Sequence, residues 1–156
     1  MQTVISLFLS TCLFAALYQF IAPKFSSGAV AFQPVSLGHK MLFGLAMSVV
    51  SKLAMFALAI LASVTLVPLM VLLGLAPDAT AAPSAALAAV SIAVLLVMLQ
   101  LANWFSTMML GRFMPNILRV ESASAGFKAA LAPTVVTGAF YVLVVFLLAP
   151  LMAVPQ

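Results

Sequence analysis

Charged side chains are scarce in this chain of 156 residues. Six Lys and Arg and two Asp and Glu amount to 5% of it, whereas a soluble domain carries about 25% charged residues. A protein with so few charges cannot cover a water-facing surface of the usual kind. The hydrophobic fraction of 67% indicates instead that the protein lies in a lipid bilayer.

The residue types that perform catalysis or bind metals are also nearly missing. The chain contains one His, one Cys and two carboxylates, too few for a metal-ligand cluster or a set of convergent catalytic groups. A single cysteine, Cys12, excludes an internal disulfide. We therefore expect a protein that is not an enzyme, that holds no cofactor or metal, and that has no nucleic-acid partner.

Long apolar stretches are what the sequence has in place of charge. Four of them lack any charged residue, and each exceeds the roughly 20 residues that a membrane-spanning helix needs. None shows the alternation typical of barrel strands. The sequence predicts an all-α polytopic membrane protein, with residues 1–156 forming a single transmembrane domain. The domain is predicted to be a bundle of four transmembrane helices at about residues 3–22, 53–73, 84–109 and 129–152.

The basic side chains determine the predicted orientation. They fall in two segments, one after the first span and one between the third and fourth spans: Lys24, Lys40 and Lys52, then Arg112, Arg119 and Lys128. Cytoplasmic loops accumulate Lys and Arg, so both segments are predicted to be cytoplasmic. Both termini and the segment 74–84 would then lie on the outer side of a bacterial inner (plasma) membrane.

The second span has two interpretations, which differ in the position of Lys52. In the one we favour, residues 36–51 form an interfacial helix on the membrane surface and the span begins at Leu53. The surface helix would carry a weak polar stripe, which ends at one of two adjacent residues: Lys40, Gly44, Ser48 and Ser51 or Lys52. In the other interpretation the span begins near Met41. Lys52 then lies inside the bilayer, at a cost of a few kcal/mol.

Two similar segments suggest an internal duplication. "AMSVVS" at residues 46–51 matches "APTVVT" at residues 132–137, and a proline and then a lysine precede each of them. A true duplication would make residues 1–77 and 78–156 two equivalent helical hairpins, related by an axis along the membrane normal. This alignment favours a position of Lys52 inside the bilayer, because it matches residues 41–51 with the start of the fourth span.

Polar side chains occupy one face of each of the last two spans. The two faces are formed by Gln100, Asn103 and Thr107, and by Thr134, Thr137 and Tyr141. Counting residues from the connecting loop places Gln100 near Thr137 or Tyr141, and Asn103 opposite Thr134. The faces are interpreted either as hydrogen-bonding contacts between helices or, together with Lys52, as a polar pathway.

The loop of residues 111–128 holds four of the eight charged residues. Residues 116–126 are compatible with a short surface helix whose apolar side chains Ile117, Leu118 and Val120 enter the headgroup region. The basic side chains Arg112, Arg119 and Lys128 would then contact anionic lipid headgroups, at about 1 kcal/mol each, or a protein partner.

These observations favour a non-catalytic integral membrane protein, most simply a small accessory or assembly subunit of a larger membrane complex. Its partners would be the bilayer and other membrane subunits. The alternative is an oligomeric channel or carrier for a small solute, in which the chain associates with copies of itself. The first hypothesis depends on the lack of catalytic groups, and the second on Lys52, the polar faces and the duplication.

Overall fold

The computed structural model describes residues 2–72 and 85–152, and most of them are helical. The first helical rod consists of α1 (Gln2–Ala16), a π-helical turn (Leu17–Ile21) and α2 (Ala22–Phe25). Three long helices follow: α3 (Leu37–Leu72), α4 (Ala85–Phe113) and α5 (Ala123–Met152). Strands β1 (Val30–Phe32) and β2 (Leu118–Val120) precede α3 and α5.

Among the described residues, three helical stretches are long and apolar enough to cross a membrane: Val4–Phe25, Leu37–Thr65 and Val90–Phe113. The chain is therefore a mostly helical protein suited to a bilayer, in agreement with the prediction from composition. The predicted outer segment 74–84 with Asp78, the boundary between the predicted hairpin halves, and both chain ends lie outside the described residues, as does the side chain of Tyr141.

The π-helical turn in the first rod has a cause in the sequence. Pro23 has no N–H to donate to the carbonyl of Gln19, four residues earlier, and its ring would clash with that carbonyl. The turn widens by one residue, and the N–H of Ala22 donates to the carbonyl of Leu17 instead. The widened turn carries Tyr18, which is completely buried against the other helices.

The favoured interpretation of the second span is wrong, because residues 36–51 do not form a separate helix. Helix α3 continues unbroken from Leu37 to Leu72. Its candidate span begins at Leu37, so Lys52 lies within that span. Residues 45–67 contain neither Gly nor Pro, and nothing in that stretch would interrupt a helix.

Small residues of the expected polar stripe pack against α1 rather than facing headgroups. Gly44 is buried where the two helices cross, and an added Cβ atom would collide with the backbone oxygen of Thr11. The same atom would lie 3.1 Å from the Cβ of Ala15. One turn further along α3, the hydroxyls of Ser48 and Ser10 are hydrogen-bonded at 2.7 Å. Close approach at small residues is typical of helix packing in membranes.

The segments that contain the two strands meet at one end of the bundle, which we call the loop end (residues 26–36 and 114–122). Strands β1 and β2 pair antiparallel, with Val30 opposite Val120. The surface helix considered for residues 116–126 is therefore absent, and Leu118 is fully buried instead of entering headgroups. The local alternation of apolar and charged residues fits a strand with one face on a core.

The helices form a ring that closes at the loop end. Helix α3 packs against α1 and α4, α4 packs against α5, and α2 returns to contact α5. The core beneath the strands is apolar, and its largest fully buried side chains include Tyr18, Phe43 and Met47. The rings of Tyr18 and Phe43 pack edge-on with centroids 5.1 Å apart.

Cysteine trapping will test the strand pairing. Ala31 and Arg119 are register partners, and antiparallel partners have Cα atoms about 5.5 Å apart, within the range that a disulfide accepts. We expect Ala31→Cys with Arg119→Cys, in a Cys12→Ser background, to cross-link readily in native membranes. The control pair is Ala31→Cys with Ser122→Cys, three residues or about 10 Å further along the chain. Equal cross-linking of the two pairs would contradict the pairing.

Candidate functional site

Polar side chains from every helical rod meet inside the bundle, and we call this set the polar junction. Its members are buried and come from the π-helical turn, α3, α4 and α5: Tyr18, Ser51, Asn103, Thr107 and Thr134. Such groups cannot be satisfied by lipid, so each must find its partner within the protein.

The Asn103 side chain links three helices through both ends of its amide. The Ser51 hydroxyl of α3 donates to Asn103 Oδ1 at 2.7 Å, and Asn103 Nδ2 donates to Thr134 Oγ1 of α5 at 3.0 Å. The Thr134 hydroxyl in turn donates to the backbone carbonyl of Ala130 at 2.8 Å. The predicted contact between Asn103 and Thr134 is thus present in the structure.

Tyr18 adds the first rod to the junction. The Thr107 hydroxyl donates to the backbone carbonyl of Asn103 at 2.7 Å, so the Tyr18 hydroxyl is the donor in its own hydrogen bond with Thr107. Tyr18 is not among the residues predicted from the sequence. A tyrosine hydroxyl inside an apolar helix normally needs a buried partner, and this signal could have placed it in the bundle.

Gln100 does not form a hydrogen bond with Thr137, the first of its two expected partners, and the side chain of the second, Tyr141, lies outside the described residues. Gln100 is buried, but its Nε2 donates to the backbone carbonyl of Phe127 at 2.8 Å rather than contacting Thr137. Counting gives the height of a Cα atom and not the direction of a long side chain, and a backbone carbonyl is a competing acceptor. The Gln100 Oε1 atom has no hydrogen-bond partner among the described residues.

A groove of about 490 Å³ lies between α4 and α5 next to Gln100. Its walls are almost entirely apolar, and Thr134 also lines it. Helices α4 and α5 approach each other closely at Gly138, where an added Cβ atom would collide with the side chain of Leu96. Thr137 is half-buried and does not line the groove.

Lys52 is separate from the polar junction, although it follows Ser51 in the sequence. Successive residues of a helix point about 100° apart, so the buried Ser51 and the exposed Lys52 lie on different sides of α3. The predicted pathway residues are therefore divided: Asn103, Thr107 and Thr134 are inside the bundle, and Lys52 is on its outer surface.

Five of the six basic residues lie near the loop end, and all but Lys40 among them are exposed: Lys24, Lys40, Arg112, Arg119 and Lys128. Arg119 forms an ion pair with Glu121 at 3.0 Å. The indole N–H of Trp104 donates to the Ala123 carbonyl at 3.0 Å, which places Trp104 near the first turn of α5.

The junction consists of neutral hydroxyl and amide groups, whose chemistry is hydrogen bonding. Within the described residues, no three His, Cys, Asp or Glu side chains approach closely enough to hold a metal ion. Comparison of the chain with protein-family models, curated proteins and solved structures gives no match. The functional interpretation therefore depends on the arrangement of the side chains themselves.

Proposed function

We propose that this protein is a non-catalytic accessory or assembly subunit of a larger complex in a bacterial inner membrane. The main support is the division of its surfaces. The junction hydroxyls and the Asn103 amide hydrogen-bond to one another or to backbone carbonyls, which favours a structural role for them. The outer faces of α3 and α4 carry many exposed large apolar side chains, suited to lipid or to neighbouring subunits.

The proposed topology has four spans, with α5 as the fourth and the loop end in the cytoplasm. Support comes from the pairing of β1 with β2, which requires the two basic segments to be on the same side, and from the positive-inside rule. In the Cys12→Ser background, an impermeant thiol reagent applied to intact cells should label Ser84→Cys and leave Ser122→Cys unlabelled. Labelling of Ser122→Cys would reverse the orientation.

A duplicated pair of hairpins is proposed as the origin of this arrangement. Each half has the order helix, strand, helix. The contact between α3 and α4 has a counterpart in the contact of α5 with α2, as a two-fold axis along the membrane normal would require. Antiparallel pairing of the two strands is compatible with the same axis.

Purification in a gentle detergent, followed by mass spectrometry and native mass measurement, tests the proposed function. We expect the chain to copurify with a different membrane protein in a fixed ratio. A homo-oligomer without other subunits would favour the alternative, an oligomeric channel or carrier. The observation that favours this alternative is the groove beside Gln100, where Oε1 has no partner among the described residues and a second copy could complete a site.

Anionic lipid is the second proposed partner, and the basic residues should contribute unequally to its binding. Arg119 is neutralised in part by Glu121, whereas no described carboxylate lies within ion-pair distance of Arg112. A free cation contributes about 1 kcal/mol, so Arg112→Gln should weaken phosphatidylglycerol retention about fivefold. Arg119→Gln should change it less than about twofold. Native mass spectrometry with added lipid measures both, and equal losses would contradict the proposed contact.

A further inference from the structure

Lys52 is the one charged residue on an otherwise apolar surface of α3. The side chains on this side of the helix are all exposed, and we call them the outer α3 face: Leu45, Val49, Lys52, Leu53, Phe56 and Ile60. They recur at steps of three and four residues, so they form one continuous stripe along the helix. A stripe of this composition would face lipid if nothing covered it.

The depth of Lys52 keeps its ammonium group away from both membrane surfaces. It lies fifteen residues after the first residue of the candidate span Leu37–Thr65 and thirteen before the last. A residue at the middle of a hydrocarbon core about 30 Å thick is about 15 Å from either surface, which is farther than a lysine side chain reaches. Snorkelling therefore cannot carry the charge to the headgroups without deforming the bilayer.

The described part of the chain offers Lys52 no counter-ion. Its one carboxylate is Glu121, which lies at the loop end and is paired with Arg119 at 3.0 Å. A second copy in the same orientation would have its Glu121 at the loop end as well. Asp78, the other acidic residue of the sequence, belongs to the segment between α3 and α4.

We propose that Lys52 forms an ion pair with a carboxylate in a membrane-spanning helix of a different protein, which packs along the outer α3 face. Charged groups within spans usually pair with one another, and an apolar helix with one acidic residue at matching depth complements this stripe in both charge and hydropathy. The inference rests on the proposed function and names the surface and the chemistry of the partner.

Photo-crosslinking in native membranes tests the proposal. A benzophenone amino acid replaces Phe56, one turn from Lys52 on the same face, and adducts are identified by mass spectrometry. We expect an adduct with a protein that has an Asp or Glu inside a span. Lys52→Met should reduce its yield about tenfold, whereas Lys52→Arg, which keeps the charge, should stay within about twofold. Lys40→Met, which removes a lysine near the loop end, should have no effect.

Reciprocal substitution completes the test: Lys52→Asp should abolish the adduct, and exchange of the partner's carboxylate for lysine should restore it. The Ala31/Arg119 cysteine pair reports in each variant that the bundle is still folded. Adducts with lipid alone, adducts with a second copy, or a yield that Lys52→Met leaves unchanged would each overturn the proposal. If one of these results is obtained and another membrane protein still copurifies with the chain, the proposed function stands and only the assignment of this surface is wrong. If no other protein copurifies with the unmodified chain, the proposed function itself is contradicted.

Discussion

Gly44→Leu is expected to lower the melting temperature of the detergent-solubilised protein by about 10 °C. Even a Cβ atom at this position collides with the backbone oxygen of Thr11, and backbone cannot move aside as a flexible side chain can. Helix α1 must therefore separate from α3, at a cost of about 3 kcal/mol. The Ser10–Ser48 hydrogen bond of 2.7 Å should be lost at the same time, so a Ser10→Cys/Ser48→Cys disulfide should no longer form.

Gly38→Leu is the matched control, because it makes the same change in the same helix. A Cβ atom at Gly38 would meet only the Ser36 hydroxyl, at 3.8 Å, so we expect a change within about 0.5 kcal/mol. If the Gly44→Leu and Gly38→Leu variants have the same melting temperature, close packing of α1 on α3 is not what holds the first rod in place.

Asn103→Leu is expected to lower the melting temperature by about 5 °C. The substitution removes the hydrogen bond from Ser51 at 2.7 Å and the one to Thr134 at 3.0 Å. Side-chain hydrogen bonds between membrane helices contribute about 0.6 kcal/mol on average and up to about 1.7, so two of them amount to about 1–2 kcal/mol. Disulfide trapping between α3 and α4, which pack against each other, would show whether the helices also separate.

Gln100→Leu provides the comparison, since Gln100 belongs to the same face of α4. The substitution removes the 2.8 Å hydrogen bond from Gln100 Nε2 to the Phe127 carbonyl. It also removes the buried Oε1 atom, which has no partner among the described residues. These effects nearly cancel, and we expect a change within about 0.5 kcal/mol. If both variants keep their melting temperatures yet abolish function, the face serves a pathway and not helix packing.

Several features of this protein follow from the sequence alone. The scarcity of charge and the length of the apolar stretches indicate helices suited to a bilayer. Apart from closed barrels, helices are the only structures whose backbone N–H and C=O groups are all hydrogen-bonded within the protein there. Helical periodicity and the count from the connecting loop place Asn103 opposite Thr134, the pair that the structure joins at 3.0 Å. These predictions succeed because they depend on local geometry and on one short connection.

The tertiary structure decided what each helical face touches. Periodicity places Gly44, Ser48 and Ser51 on one side of α3, but only packing against α1 and α4 shows that this side is the interior. Residues 118–120 are too few to distinguish a strand from a surface helix, and they become a strand because β1, far away in sequence, provides its partner. Lys52 faces outward for the same reason: a sequence records which residues share a face, whereas burial depends on neighbours that are distant along the chain.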